Sequence, residues 1–165
     1  MFARGRLRMP AILGMAVVIW AAEALPVAVQ TPPRSNDPVL GVWHLNPAKS
    51  KYLPGPIPKS QTRTYEANAN GIKATIRTVY SDGQSASVQY VADYDSIEYP
   101  VTGSPDADAI TLKKLDAFTA EATLMHGGKV FGVARRVISK DGKTMTISFK
   151  SRDGAIDNMA VYEKD

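Results

Sequence analysis

The sequence contains no cysteine, so disulfides cannot stabilise the fold and its stability must come from packing. It also has no apolar run long enough to span a membrane: the longest covers about a dozen residues near the start, whereas a spanning helix needs roughly 20. No basic cluster is present either, since Lys113-Lys114 and Arg135-Arg136 are isolated pairs within strand-like segments. These absences argue against a disulfide scaffold, a membrane anchor and a nucleic-acid partner.

The motifs of common catalytic and metal chemistry are missing as well. The sequence has no Gly-x-Ser-x-Gly elbow and no glycine-rich phosphate loop. His44 and His126 stand alone, without paired spacing or an obvious carboxylate or serine partner, so we expect them on the surface. Asp106 and Asp108 lack the further ligands and the glycine of a calcium loop, which favours a solvated turn. We predict no catalytic residue, no metal and no cofactor.

The first 24 residues have the three parts of a secretory signal peptide. Three arginines within residues 4–8 precede an apolar run over residues 11–22, and Ala22-Glu23-Ala24 provides a small-x-small cleavage site. Cleavage there would leave 17 basic and 15 acidic residues, and no membrane span. We therefore expect an exported bacterial protein, periplasmic or extracellular.

The remainder divides into a tether and one domain. Residues 25–38 are proline-rich and lack apolar periodicity, which indicates a flexible tether. Residues 39–165 are of a length that forms one domain around one core. We expect that domain to be a monomer.

Within the domain, apolar residues alternate with polar ones in segments separated by turn dipeptides. Asn70-Gly71, Asp82-Gly83, Gly127-Gly128 and Asp141-Gly142 supply the positive φ angles that tight hairpins need, so neighbouring strands should be antiparallel. The predicted strands cover residues 40–45, 62–67, 72–80, 85–94, 97–101, 110–115, 120–126, 130–139, 144–152 and 158–164. The pattern predicts an all-β fold of about ten strands in up-and-down order.

The strands are one-sided, which favours closure of the sheet. Ile72, Ala74 and Ile76 share one face, opposite Lys73 and Thr75. A long meander of such strands leaves two open edges unless it closes into a barrel. Residues 46–58 contain four prolines, so the connection between the first two strands should be an extended loop with a short turn at residues 47–51.

Two short motifs resemble those of calycins, the lipocalins and fatty-acid-binding proteins. Gly41-Val42-Trp43-His44-Leu45 resembles their opening Gly-x-Trp strand, and Val161-Tyr162-Glu163-Lys164 resembles the last strand of fatty-acid-binding proteins. More specifically, residues 45–52, 99–106 and 139–146 resemble a family of small exported bacterial lipocalin-like proteins of uncharacterised role. The resemblance implies a lipocalin-like barrel in which Gly41 and Trp43 have structural roles, with an arginine packed over Trp43.

The chain departs from fatty-acid-binding proteins at two places. Their helical lid would lie where this chain has the proline-rich loop, and their Arg-x-Tyr carboxylate clamp falls on Ala160 and Tyr162. Half of the clamp is therefore missing, and fatty-acid specificity does not carry over to this chain.

Tyrosines and arginines are the candidate ligand-binding residues. Tyr65, Tyr80, Tyr90, Tyr94 and Tyr162 fall on the predicted inner faces of several strands, where their rings and hydroxyls suit an amphipathic ligand or simply fill the core. Arg63 shares the face of Tyr65. Because Arg135 and Arg136 are adjacent, one of them should point inward, where a guanidinium needs an anionic partner or ligand unless it lies at the rim or plugs the base.

The sequence therefore predicts a binding module for a small hydrophobic or amphipathic ligand in the bacterial envelope. The first alternative is a filled barrel that displays residues 46–59 and 102–108 to a protein partner. A less favoured alternative is a calycin-type enzyme that uses tyrosine or arginine side chains at the barrel mouth. The binding hypothesis requires a cavity of several hundred cubic ångströms, the usual scale of ligand pockets.

Overall fold

The computed structural model describes residues 36–165. The expected signal peptide, residues 1–24, and most of the expected tether, residues 25–38, lie outside the described residues. Within the described part, no helix has the length and apolar character needed to cross a membrane.

Ten antiparallel strands form a closed up-and-down barrel, which confirms the predicted fold class. Each strand bonds to its neighbours in sequence, and the first strand also bonds to the last. The strands are β1 (Gly41–Leu45), β2 (Ser60–Asn68), β3 (Gly71–Val79), β4 (Ser85–Ala92), β5 (Tyr99–Thr102), β6 (Ala109–Lys114), β7 (Thr119–His126), β8 (Lys129–Ile138), β9 (Thr144–Ser151) and β10 (Asp157–Lys164). Closure leaves no long strand edge unpaired.

Glycine is required at the first hairpin turn for two reasons. Gly71 has a φ angle of 116°, a conformation that other residues rarely adopt. A Cβ atom there would also lie 2.3 Å from the backbone oxygen of Ala92 on β4. The Asn70-Gly71 turn and the pairing of β3 with β4 therefore depend on the same residue.

The connections between strands divide between the two ends of the barrel. The open end carries residues 46–59, 80–84, 103–108, 127–128 and 152–156, and the closed end carries residues 69–70, 93–98, 115–118 and 139–143. The long connection after β1 contains one short 3-10 helix, Pro47–Lys49, capped by the Asn46 side chain, which accepts from the Lys49 amide at 3.2 Å. The rest of that connection is an extended loop, as its prolines predict.

Trp43 lies in the core of the closed end and is fully buried. Its indole nitrogen donates to the Val39 carbonyl at 2.7 Å. Lys164 on β10 places its ammonium 5.0 Å from the Trp43 ring centroid. Among the described residues the cation over Trp43 is thus Lys164, where an arginine was expected. The inward-facing Arg136 stacks on tyrosines instead.

The segment before β1 covers the closed end. The Asp37 side chain is 3% exposed, and it accepts from the Lys114 ammonium at 2.8 Å and from the Val39 amide at 3.1 Å. Burial raises the pKa of Asp37, but these hydrogen bonds and the positive charges of Lys114 and Arg136 outweigh burial and hold the pKa below its ordinary value. Within the described residues, this segment therefore packs over the closed end of the barrel.

Candidate ligand-binding site

The barrel encloses a cavity of about 330 Å³. Its wall is mainly apolar because the inward-facing residues of most strands are aliphatic or aromatic. Among the apolar lining residues are Ile76, Val88, Ile110, Leu112, Leu124, Ile147 and Phe149. The volume falls at the low end of the range for ligand pockets, about 300–1,000 Å³. The side chains of the barrel therefore leave space inside it. The filled-barrel alternative requires that they fill this space.

The cavity opens to solvent at the open end. Tyr80, at the end of β3, lines the cavity and is 42% exposed. Asp106, in the β5–β6 connection at the same end, also lines it and is exposed. These two residues mark the mouth of the cavity.

Arg63 on β2 is partly buried and borders the cavity. Its Nε donates to Gln61 Oε1 at 3.1 Å, and its Nη1 donates weakly to the Tyr65 hydroxyl at 3.5 Å. Its guanidinium carbon lies 5.1 Å from the centroid of the Tyr162 ring, a cation–π distance. All of these partners are formally neutral side chains, so none compensates the positive charge.

Arg136 on β8 is the buried member of the adjacent arginine pair, with 9% of its surface exposed. Its Nη2 donates to the Tyr94 hydroxyl, and its guanidinium carbon lies 5.4 Å from the Tyr65 ring centroid and 5.8 Å from that of Tyr94. Its Nε is buried without a hydrogen-bond partner in the described part of the chain. Such an unsatisfied donor is costly in an apolar interior. Arg135 is exposed, opposite Glu121 on the outer face.

Tyr65 lies between the two inward-facing arginines and is 3% exposed. Burial raises the pKa of its hydroxyl, but Arg63 and Arg136 outweigh burial and hold the pKa below its ordinary value of about 10. The surroundings of Tyr65 thus favour its phenolate form.

The other predicted tyrosines differ in position. Tyr90 and Tyr162 line the cavity with Tyr65, and Tyr80 lies at the mouth. Tyr94 instead packs at the closed end, where Lys114 lies over its ring and Arg136 donates to its hydroxyl. Burial is the main cause that raises the pKa of Tyr94 to about 12, with Arg136 opposing it, and burial also raises the pKa of Tyr90.

Sequence reasoning missed two polar residues of the cavity wall, Gln61 and Tyr52. Gln61 accepts from Arg63 and from the Tyr162 hydroxyl, and its own amide donates to Thr78 Oγ1 at 2.7 Å. Gln61 shares the inner face with Arg63 by simple alternation, but it lies one residue before the predicted strand. Tyr52 reaches the cavity from the proline-rich loop, for which no periodic pattern exists.

The cavity wall has no internal carboxylate among the described residues. Of the acidic lining residues, Asp106 lies exposed at the mouth, and Glu121 lies between Ala120 and Ala122, whose inward side chains place its own on the outer face. His44 and His126 are exposed. Residues 36–165 contain no group of three or more histidine, aspartate or glutamate side chains arranged to hold a metal ion.

No family model matches the chain, and no curated protein is significantly similar to it. A closed β-barrel with an internal cavity is consistent with a binding-protein fold. Its walls offer apolar contact together with two guanidinium groups.

Proposed function

We propose that this chain is an exported lipocalin-like protein that binds a small amphipathic anion in the bacterial envelope. The observation that carries the proposal is the combination of an apolar cavity of about 330 Å³ with Arg63 and Arg136 in its wall. Guanidinium groups remain protonated in proteins, so the cavity holds positive charge at any physiological pH. Burying charge without an opposite partner is unfavourable, and an anionic head group would supply that partner.

The rest of the cavity suits the tail of such a ligand. Ile76, Val88 and Ile147 provide aliphatic contact, while the Tyr90 and Phe149 rings add flat aromatic surface. The cavity is small for a ligand pocket and opens to solvent, so part of a larger ligand can extend through the mouth. We therefore propose a ligand whose buried part is a head group with a short chain or one or two rings, rather than a whole long-chain lipid.

A fluorescence titration tests this function. The protein is titrated with 8-anilinonaphthalene sulfonate, an aromatic anion whose emission rises in apolar surroundings, and the probe is then displaced by octyl sulfate, octanol or octyltrimethylammonium. We expect displacement by octyl sulfate, weaker displacement by octanol, and little by the cation because it would face Arg63 and Arg136. Equal displacement by the anion and the cation would refute an anion site.

A matched pair of variants locates binding in the cavity. Ala134 lines the cavity on β8, whereas Val133 points outward and is 38% exposed. Ala134→Leu should reduce the affinity for the fluorescent anion because its side chain takes up ligand volume, and Val133→Leu should leave the affinity unchanged. Far-ultraviolet circular dichroism of both variants checks that the barrel is intact. Unchanged binding by a folded Ala134→Leu protein would place the ligand elsewhere.

The export part of the proposal rests on residues 1–24. Expression of the full chain in a bacterial host, followed by cell fractionation and N-terminal sequencing, should give a periplasmic protein that begins at Leu25. Recovery of the uncleaved chain in the cytoplasm would contradict export.

A further inference from the structure

The two inward-facing arginines both contact Tyr65. Arg63 donates to the hydroxyl of Tyr65 at 3.5 Å, and the guanidinium carbon of Arg136 lies 5.4 Å from the centroid of the same ring. Both cations therefore contact a single phenol, although they come from strands β2 and β8 on different parts of the barrel wall. A compact head group beside Tyr65 can approach both guanidinium groups at once. We call Arg63 and Arg136 the arginine pair.

The described residues leave both charges of the arginine pair without a carboxylate partner. The side chains that accept from the pair are Gln61, Tyr65 and Tyr94, which are formally neutral. The carboxylate of Asp37 interacts electrostatically with Arg136, but it is already bonded to the Lys114 ammonium at 2.8 Å. Two positive charges in a largely apolar enclosure therefore call for two negative charges from a ligand.

The arginine pair also has hydrogen-bond donors to spare. A guanidinium has five N–H groups, and the buried Nε of Arg136 has no acceptor among the described residues. Arg63 donates through its Nε to Gln61 and through its Nη1 to Tyr65, and within residues 36–165 its second terminal nitrogen makes no hydrogen bond. A carboxylate brings one charge and two oxygens. A phosphate monoester brings close to two charges and three terminal oxygens, which matches both the charge and the donors.

We propose that the ligand of this cavity has a dianionic head group, of the phosphate monoester type, held between Arg63 and Arg136 beside Tyr65. This inference rests on the proposed binding function and specifies the ligand class of the same cavity. The alternative within that function is a monoanion, which would leave one guanidinium uncompensated or require Tyr65 to ionise.

Isothermal titration calorimetry with octyl phosphate and octyl sulfate tests the inference. Both probes carry the same chain and a tetrahedral head, but the sulfate has one charge at any pH, whereas the phosphate gains its second charge near pH 6. At pH 7.5 we expect octyl phosphate to bind at least about tenfold more tightly, because the second charge engages the second guanidinium. The ratio of the two affinities should fall towards one at pH 5, where the phosphate is a monoanion. Use of the ratio cancels any titration of the protein that affects both probes.

Single-arginine variants supply the second arm. In Arg63→Gln only Arg136 remains, so the preference for octyl phosphate should disappear while octyl sulfate still binds. Arg135→Gln, which removes an exposed arginine from the outer face, should retain the full preference. Arg136→Gln is predicted to behave like Arg63→Gln, and circular dichroism of each variant reports folding, so the inference does not depend on one substitution.

The outcomes separate the inference from the proposed function. If both probes bind equally at pH 7.5, or if Arg63→Gln keeps the phosphate preference, the dianion inference is wrong while anion binding stands. If neither octyl phosphate nor octyl sulfate binds the wild-type protein, the proposed function fails and the inference fails with it.

Discussion

Arg136 lies over the face of Tyr65, with its guanidinium carbon 5.4 Å from the ring centroid, while Arg63 donates to the hydroxyl of the same ring. One tyrosine thus separates two cations within the barrel. The arrangement limits side-chain motion, because Tyr65 is 3% exposed and is held at both its face and its hydroxyl. It also determines the chemistry of Tyr65 itself, since positive charge on two sides stabilises the phenolate.

The first prediction concerns ionisation of Tyr65. Because Arg63 and Arg136 hold the pKa of Tyr65 below its ordinary value, an alkaline titration followed by phenolate absorbance should begin with a step of one tyrosine at unusually low pH. Tyr65→Phe should remove that step. Tyr90→Phe is the matched control, because burial raises the pKa of Tyr90 and its loss should leave the early step in place. Superimposable curves for wild type and Tyr65→Phe would contradict the assignment.

The second prediction follows from the same ionisation. Once Tyr65 loses its proton, the phenolate neutralises one charge of the arginine pair, so the affinity for an anion should fall as the pH rises through the pKa of Tyr65. Octyl sulfate suits this measurement because its own charge does not change. Calorimetric titrations at increasing pH should show weakening binding to the wild-type protein and nearly constant binding to Tyr65→Phe. Affinity that rises with pH would show that the phenolate does not compete with the ligand.

The third prediction concerns Asp37 and acid stability. The pKa of Asp37 is lower in the folded protein than the value near 3.9 of an unfolded chain, so its contribution to stability is present above about pH 4 and is lost as the pH falls through the folded pKa. Asp37→Asn should reduce the free energy of unfolding at pH 7 by about 1–3 kcal/mol, since Lys114 loses its buried partner. The difference from wild type should shrink on acidification. Urea unfolding at several pH values measures it.

An exposed acidic residue serves as the control for Asp37. Glu98 is exposed in the connection between β4 and β5, at the same end of the barrel. Glu98→Gln should change the free energy of unfolding by less than about 0.5 kcal/mol at pH 7. If Asp37→Asn and Glu98→Gln behave alike, the contact between Asp37 and Lys114 does not stabilise the closed end.

The fourth prediction concerns the packing of Trp43 at the closed end of the barrel. Trp43 is fully buried and donates to the Val39 carbonyl, so Trp43→Ala removes both packing and a hydrogen bond. We expect a loss of about 3–5 kcal/mol in the free energy of unfolding, the usual cost of truncating a large aromatic residue in a core. His44 is the next residue on the same strand and is exposed, so His44→Ala should cost less than about 0.5 kcal/mol. Thermal and urea unfolding distinguish the two.

The fifth prediction concerns a close approach at Gly132 on β8. A Cβ atom there would lie 2.5 Å from Cζ of Phe149 and 2.6 Å from the backbone oxygen of Lys150. Gly132→Ala should therefore destabilise the barrel by about 1–3 kcal/mol through overpacking. Gly55→Ala is the control, because its added methyl group would meet nothing closer than the Tyr52 carbonyl at 3.9 Å. If the two variants have the same free energy of unfolding, β9 can shift away from the added methyl group without loss of stability.

Much of the fold could be predicted from the sequence because its signals are local. Alternation and turn glycines predicted ten antiparallel strands, and the observed strands match them with shifts of about one or two residues at their ends. The inner face of β3 follows from the same alternation, since a strand presents every second residue to one side. Strand ends are predicted less well. The predicted second strand began at residue 62, one residue after Gln61, so Gln61 was not included in the predicted cavity wall.

The residues of the candidate site could be predicted from the sequence only in part. Alternation required one of Arg135 and Arg136 to face inward, but the sequence did not say which, because a one-residue change of register exchanges the faces. The pairing of Arg136 with Ala120 and Ile147 decided the question. Tyr52 entered the cavity from an irregular loop, where no repeating pattern relates sequence position to direction.

The sequence by itself determined the strands, their inner faces and the turns that join them, because each depends on residues close together along the chain. Only the tertiary structure decided that Lys164 lies over Trp43, that Asp37 pairs with Lys114, and that Arg63 and Arg136 meet at Tyr65. Except for the contact of Arg63 with Tyr65, which lie two residues apart on β2, these contacts join residues far apart in sequence, and closure of the barrel brings them together. The positive charge of the cavity wall is for that reason a property of the closed barrel.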